Sequence, residues 1–240
     1  YDPQEETQNH EILILGWDDS FSRFLFAQTP DQDGAFICQN SWGEDFGDQG
    51  IFYVSYADAN IAGTAMAYTK IEPTDNYDRI YQTDDCGWRG RQGYDDGECW
   101  FANVYRAGEG EQLAAAGFYA IGEDTSYELY LVETPSGTAD FSKRRLLKRG
   151  TFRWSGYYTV ELSEEIPLRD GERFALLVHI NTPGIKNPVA VEYQGDPDAQ
   201  NVTTDGKYGF ISRDGNDWDH TEEKYGSNVC LKAYTHRADE

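Results

Sequence analysis

His10-Glu11-Ile12-Leu13-Ile14-Leu15-Gly16-Trp17 and, thirty residues after the histidine, Asn40-Ser41-Trp42-Gly43 decide how this chain is read. His10, preceded by Asn9, stands just ahead of an apolar run that ends at Gly16-Trp17-Asp18-Asp19. Asn40 closes a second apolar run, Ala35-Phe36-Ile37-Cys38. Gly47 and Gly50 follow, then Ile51-Phe52-Tyr53-Val54-Ser55-Tyr56. Short runs rich in β-branched and aromatic residues, punctuated by Gly and Asp, predict three strands. Strand alternation puts Cys38, two residues before Asn40, on the same face as that asparagine.

This order resembles the C-terminal half of papain-family cysteine peptidases. There a histidine opens one strand, an Asn-Ser-Trp-Gly motif closes the next, and a glycine turn leads into a third. A thiolate nucleophile is favoured by a neighbouring imidazolium, and the imidazole must be held in one tautomer by a third group. The resemblance implies that His10 is the general base, Asn40 its orienter, and Trp42 the cover of their hydrogen bond. It gives Gly43 and Gly16 to turns and close backbone approach.

The chain departs from the pattern in one respect. The family's cysteine should lie well upstream of the histidine, and His10 opens this sequence. No Cys-Trp pair and no upstream glutamine stand where the family has them. Cys38 occupies a position usually aliphatic and reads as a small buried hydrophobe. The chain alone is therefore expected to be inert. The nucleophile is expected on a separate N-terminal chain of the same precursor, and Tyr1 to Gln8 reads as a processed or trimmed start.

Net charge is −23 with a pI near 4.4, which opposes binding to nucleic acid and anionic membranes. Such a surface suits cation binding, high-salt solubility or simple solvation after secretion. No apolar run reaches membrane-spanning length, and no signal peptide is evident. The 6 Trp, 17 Tyr and 12 Phe favour β structure.

From Tyr77 onward short strand patterns alternate with Gly, Asp and Pro turns: 114–120, 126–132, 156–162, 173–180, 189–193, 208–212 and 229–234. No useful helical period appears. A sandwich or jelly roll is expected. Tyr77–Gln82, Trp100–Tyr105, Leu113–Tyr119, Tyr127–Tyr130, Phe210–Trp218 and Val229–Tyr234 resemble the lectin-like β-sandwich that follows the peptidase in some microbial cell-surface papain-like proteases. Such a likeness does not establish sugar binding. The sandwich either recognises a surface glycan or shapes the peptidase cleft.

Smaller signals complete the reading. Cys86 and Cys99 bracket a Gly-, Arg- and Asp-rich loop and are expected to form a disulfide if the protein is exported, with two free thiols as the alternative. Asp84, Asp85, Asp95, Asp96 and Glu98 gather at the same loop. The resemblance suggests a structural Ca²⁺ there, and the other reading is a solvated acidic loop. Asn201-Val202-Thr203 matches the N-glycosylation pattern. Lys143-Arg144-Arg145 with Lys148 and Arg149 is the one basic cluster, read as balancing nearby acids or marking a processing-sensitive loop.

The expected fold is mainly β. Residues 1–74 form the β-rich C-terminal lobe of a papain-like α+β peptidase domain, and 77–240 a lectin-like β-sandwich or jelly roll. The expected function is one component of a secreted or cell-surface cysteine endopeptidase acting on polypeptides, with no cofactor needed for catalysis. The alternative is a non-catalytic adhesion or glycan-binding protein on a degenerate peptidase scaffold.

Overall fold

The computed structural model describes all residues except 5, 7–9, 64, 196–198, 207, 239 and 240. Asn9 and part of the Tyr1–Gln8 start therefore lie outside the described residues. The chain forms two compact units, Tyr1–Lys70 and Ile71–Glu240.

In the first unit β1 (Leu13–Asp18), β2 (Ala35–Gln39) and β3 (Ile51–Ser55) make one antiparallel sheet in that order. The β1–β2 register shifts between Ile14 and Gly16, which leaves Leu15 in a bulge. Gly47, at φ +59°, makes the turn into β3, where any Cβ would run into the Ile51 carbonyl. Ala35 and Cys38 are the only fully buried hydrophobic side chains among this unit's described residues. Leu13, Leu15, Trp17, Phe24 and Leu25 are all exposed.

The second unit contains β4 (Arg79–Tyr81), β5 (Gly90–Gln92), β6 (Glu98–Arg106), β7 (Glu111–Ala120), β8 (Thr125–Glu133), β9 (Arg145–Phe152), β10 (Gly156–Pro167), β11 (Arg173–Asn181), β12 (Val189–Tyr193), β13 (Gly209–Ser212), β14 (Asp219–His220), the helix α1 (Thr221–Tyr225), β15 (Ser227–Val229) and β16 (Leu231–Arg237). They form antiparallel sheets ordered β10-β7-β16-β4, β14-β13-β6-β11-β8-β9 and β15-β12-β5. Alternation sends Leu129 and Leu131 of β8 into the main core with Phe118 of β7. Each such side chain contributes about 1.5–3 kcal/mol by leaving water.

The central strand β11 is covered on both faces. Phe174, Leu176, Val178 and Ile180 enter the main core, while Ala175 and Leu177 pack with Phe141 and Ala102 on the other side. Two-sided burial explains why this stretch reads as an unbroken apolar run rather than an alternating one.

Two features differ from the sequence expectation. The run 229–234 is two strands in different sheets, β15 and β16, broken at Cys230, whose N–H donates to the Ala190 carbonyl. Arg145, Lys148 and Arg149 of the basic cluster lie on an edge strand, β9, while Lys143 and Arg144 close a short 3-10 turn before it. A one-turn helix, α1, closes on Gly226 in the left-handed region at φ +61°.

Candidate active site

His10 is exposed just ahead of β1, and Asn40 follows the last residue of β2. Asn40 is buried, its N–H donating to the Gly50 carbonyl at 3.0 Å. Its Oδ1 accepts from the Ser41 N–H at 2.8 Å and lies 2.9 Å from His10 Nε2. The Ser41 bond fixes which amide atom faces the histidine. An oxygen there is an acceptor only, so Nε2 carries the proton and Nδ1 is left as the basic nitrogen.

Trp42 sits against the imidazole, ring centroids 5.4 Å apart and tilted by 37°. Its other contact is Phe46 at 5.0 Å, edge-on, and Phe46 in turn meets Phe52 of β3 at 5.5 Å. Trp42 is 64 % exposed, so the expected cover leaves the pair open to water on one side. Gly43, at φ +88°, turns the chain away after Trp42. Gly16 differs from expectation: a Cβ there would meet nothing within 4 Å, so no close backbone approach requires it. Cys38 is fully buried in β2, and burial raises its thiol pKa, which suits an inert core residue.

The loop before β6 does not hold the expected disulfide. Cys86 and Cys99 are both free thiols, as are Cys38 and Cys230. Cys99 is buried at the start of β6 with Sγ 3.6 Å from the Ser212 carbonyl, and burial pushes its pKa up to about 12. Cys86 is exposed, and its N–H donates to the Glu192 carboxylate of β12 instead.

The five acids do not fit a calcium shell either. Asp84 is buried and paired with Lys232 of β16 at 3.2 Å. Asp85 and Asp95 are exposed, and the Asp95 backbone N–H donates to the Asn187 side chain. Asp96 accepts from the Glu98 N–H at 2.9 Å, while Glu98 bonds His179 of β11 at 2.7 Å. Asp84, Asp96 and Glu98 thus have separate partners, while Asp85 and Asp95 face solvent. Among the described residues no three His, Cys, Asp or Glu side chains form a metal-binding group. The Asp84–Lys232 pair was not foreseen, although Lys232 does interrupt the apolar pattern of the last strand.

The profile of the lectin-like domain matches residues 80–235, well over half of the chain. The chain belongs to the lectin-like domain family. Ahead of this lectin-like domain, residues 1–71 match the papain family cysteine protease model. Two solved structures share the arrangement. One is the clostridial cysteine protease Cwp84 after propeptide cleavage, 25 % identical, TM-score 0.79, with 96 % of this chain and 58 % of that chain covered. The other is the pair of cysteine protease and lectin-like domains of Cwp84, a surface layer associated protein of Clostridium difficile, 25 % identical, TM-score 0.75, with 96 % and 52 % covered. The chain thus spans between half and three fifths of the length of these chains. No curated protein matches. Among the described residues no helix is long and apolar enough to cross a membrane.

Proposed function

We propose that this chain supplies the His–Asn half of a papain-type Cys–His–Asn site, and that the cysteine comes from a polypeptide outside these 240 residues. The observation that carries the reading is His10 Nε2 at 2.9 Å from Asn40 Oδ1, in the tautomer that leaves Nδ1 free to take a thiol proton. His10 acts as base and then as imidazolium partner of the thiolate. Asn40 orients the ring, and Trp42 shields part of it. The reaction is hydrolysis of a peptide bond in a polypeptide substrate.

The exposed Leu13, Leu15, Trp17, Phe24 and Leu25 support a missing lobe, because large apolar patches on soluble proteins mark partner surfaces. That lobe, from the same precursor, should carry a glutamine followed by a Cys-Trp pair. The surface-layer association of Cwp84 supports an exported protein at the cell surface.

Intact-mass analysis of native material, before and after reaction with a peptidyl thiol-directed inhibitor, tests the reading. The label should fall on a cysteine outside this chain, and His10→Ala should slow labelling by about 10²-fold or more. Native material consisting of this chain only, monomeric and unlabelled, overturns it and leaves the non-catalytic binding module in its place.

A further inference from the structure

We propose that the edge strand β9 and the turn that follows it bind a negatively charged saccharide. In a chain of net charge −23, residues 143–153 hold six of the 20 Lys and Arg: Lys143, Arg144, Arg145, Lys148, Arg149 and Arg153. No Asp or Glu occurs from Phe141 to Val160.

Half of these cations are committed. Lys143 pairs with Asp140 at 2.7 Å, Arg145 with Glu133 at 3.5 Å, and Arg144 lies over the Trp100 ring at 4.4 Å while donating to the Gly215 carbonyl. Lys148, Arg149 and Arg153 are exposed, and none is in an ion pair with a carboxylate among the described residues. Lys148 Nζ donates to the Glu161 backbone carbonyl at 2.6 Å, which brings no countercharge. Arg149 stands opposite Glu128 in the ladder, but the two make no contact ion pair; Glu128 accepts from the Tyr130 hydroxyl at 2.6 Å, which chiefly holds that carboxylate's pKa down, and the Arg149 charge helps.

β9 ends its sheet and pairs only with β8. Alternation puts Arg149 and Thr151 on one side of it, and Arg153 follows in the turn just past the strand's end at Phe152. At the turn Trp154 is 56 % exposed, with the Arg153 guanidinium 4.8 Å from its ring centroid on one face. The turn is held in place, since the Tyr158 hydroxyl donates to the Trp154 carbonyl at 2.8 Å and the Asp124 N–H to the Arg153 carbonyl at 3.1 Å.

Cations on an edge strand commonly guard against strand addition. That role does not call for an exposed indole beside an unpaired guanidinium. A ring face that accepts the C–H face of a sugar, next to guanidiniums that pair with anions bidentately, suits a saccharide carrying carboxylate or phosphate. The acidic remainder of the molecule does not forbid it, because charges beyond about 8 Å are largely screened at physiological salt. The proposal stands independently of the peptidase reading.

Binding of the full chain to hexagalacturonate, cellohexaose and poly-L-glutamate at low salt tests it. Hexagalacturonate should bind, less tightly as salt rises, and the neutral cellohexaose at least about tenfold more weakly. Arg149→Glu with Arg153→Glu should cost at least about tenfold, whereas Lys186→Glu, a charge reversal elsewhere on the surface, should cost nothing. Trp154→Ala should weaken hexagalacturonate alone and leave any poly-L-glutamate binding unchanged. If the double reversal misfolds, Arg153→Gln with a wild-type melting curve serves in its place. Failure of hexagalacturonate to bind, full binding by the charge variants, or poly-L-glutamate bound as tightly as the saccharide with no effect of Trp154→Ala overturns the proposal.

Discussion

His10 and Asn40 lie thirty residues apart, yet Nε2 of one meets Oδ1 of the other at 2.9 Å. The antiparallel pairing of β1 with β2 sets this distance. Leu13 opposite Gln39 begins the ladder, so the residues just outside it are neighbours. The backbone of Ser41 then holds the amide so that its oxygen, not its nitrogen, faces the ring.

Asn40→Ala should therefore act through His10. In the assembled peptidase it should lower kcat by about 10- to 100-fold and change the pH–rate profile. His10→Ala should cost about 10²–10⁴-fold, the range of a lost general base. Steady-state kinetics across pH separates the two, and an Asn40→Ala enzyme with an unaltered profile refutes the orienting role.

Thiol counting checks the cysteines. The native chain should react at one thiol, Cys86, and the denatured chain at four without any reductant. Reaction at Cys86 should be slow at neutral pH, because partial desolvation and then the Glu192 carboxylate hold its pKa above the ordinary value. Two reactive thiols in denatured, unreduced protein would restore the Cys86–Cys99 disulfide.

Lys232→Met should destabilise the second unit by about 3–5 kcal/mol, since it leaves the buried Asp84 carboxylate without its ammonium. Chemical denaturation measures this, and a loss below about 1 kcal/mol would place the pair among the weak surface bridges.

The same site carries a pH signature. Burial raises the Asp84 pKa, and the Lys232 ammonium offsets only part of that rise. A carboxyl that holds its proton more tightly folded than unfolded stabilises the fold while protonated. Stability from this group thus falls as pH rises from the ordinary carboxylate range through Asp84's own, then levels off. Wild type should lose stability relative to Asp84→Asn across that rise. Parallel curves would show that Asp84 is ionised without penalty.

Gly117→Ala should cost about 1–3 kcal/mol by overpacking. A Cβ at this position in β7 would run into the Tyr157 hydroxyl and come within 2.8 Å of the Tyr234 ring, whose hydroxyls pair at 2.5 Å. An unchanged melting temperature would mean that the two tyrosines move aside freely.

Local pattern carried much of this. The apolar runs that became β1, β2 and β3 were legible because each is bounded by Gly or Asp, and β11 because both its faces are buried. The run 229–234 misled because periodicity carries no mark of a change of sheet, and β9 was hidden because its three apolar residues do not alternate and are matched by three cations. The Cys86–Cys99 spacing suggested a closed loop, but each cysteine is drawn to a different strand's partner.

The sequence by itself determined that His10 stands just ahead of one strand, that Asn40 directly follows the next, and that a β-rich second unit follows. These are properties of neighbours in the chain, set by side-chain period and turn residues. Only the tertiary structure decided which way the Asn40 amide faces, that Asp84 is paired with Lys232, and that Arg153 and Trp154 stand together on a held turn. Those outcomes depend on what distant segments bring to the same place, and a buried or exposed charge takes whichever partner packing leaves within reach.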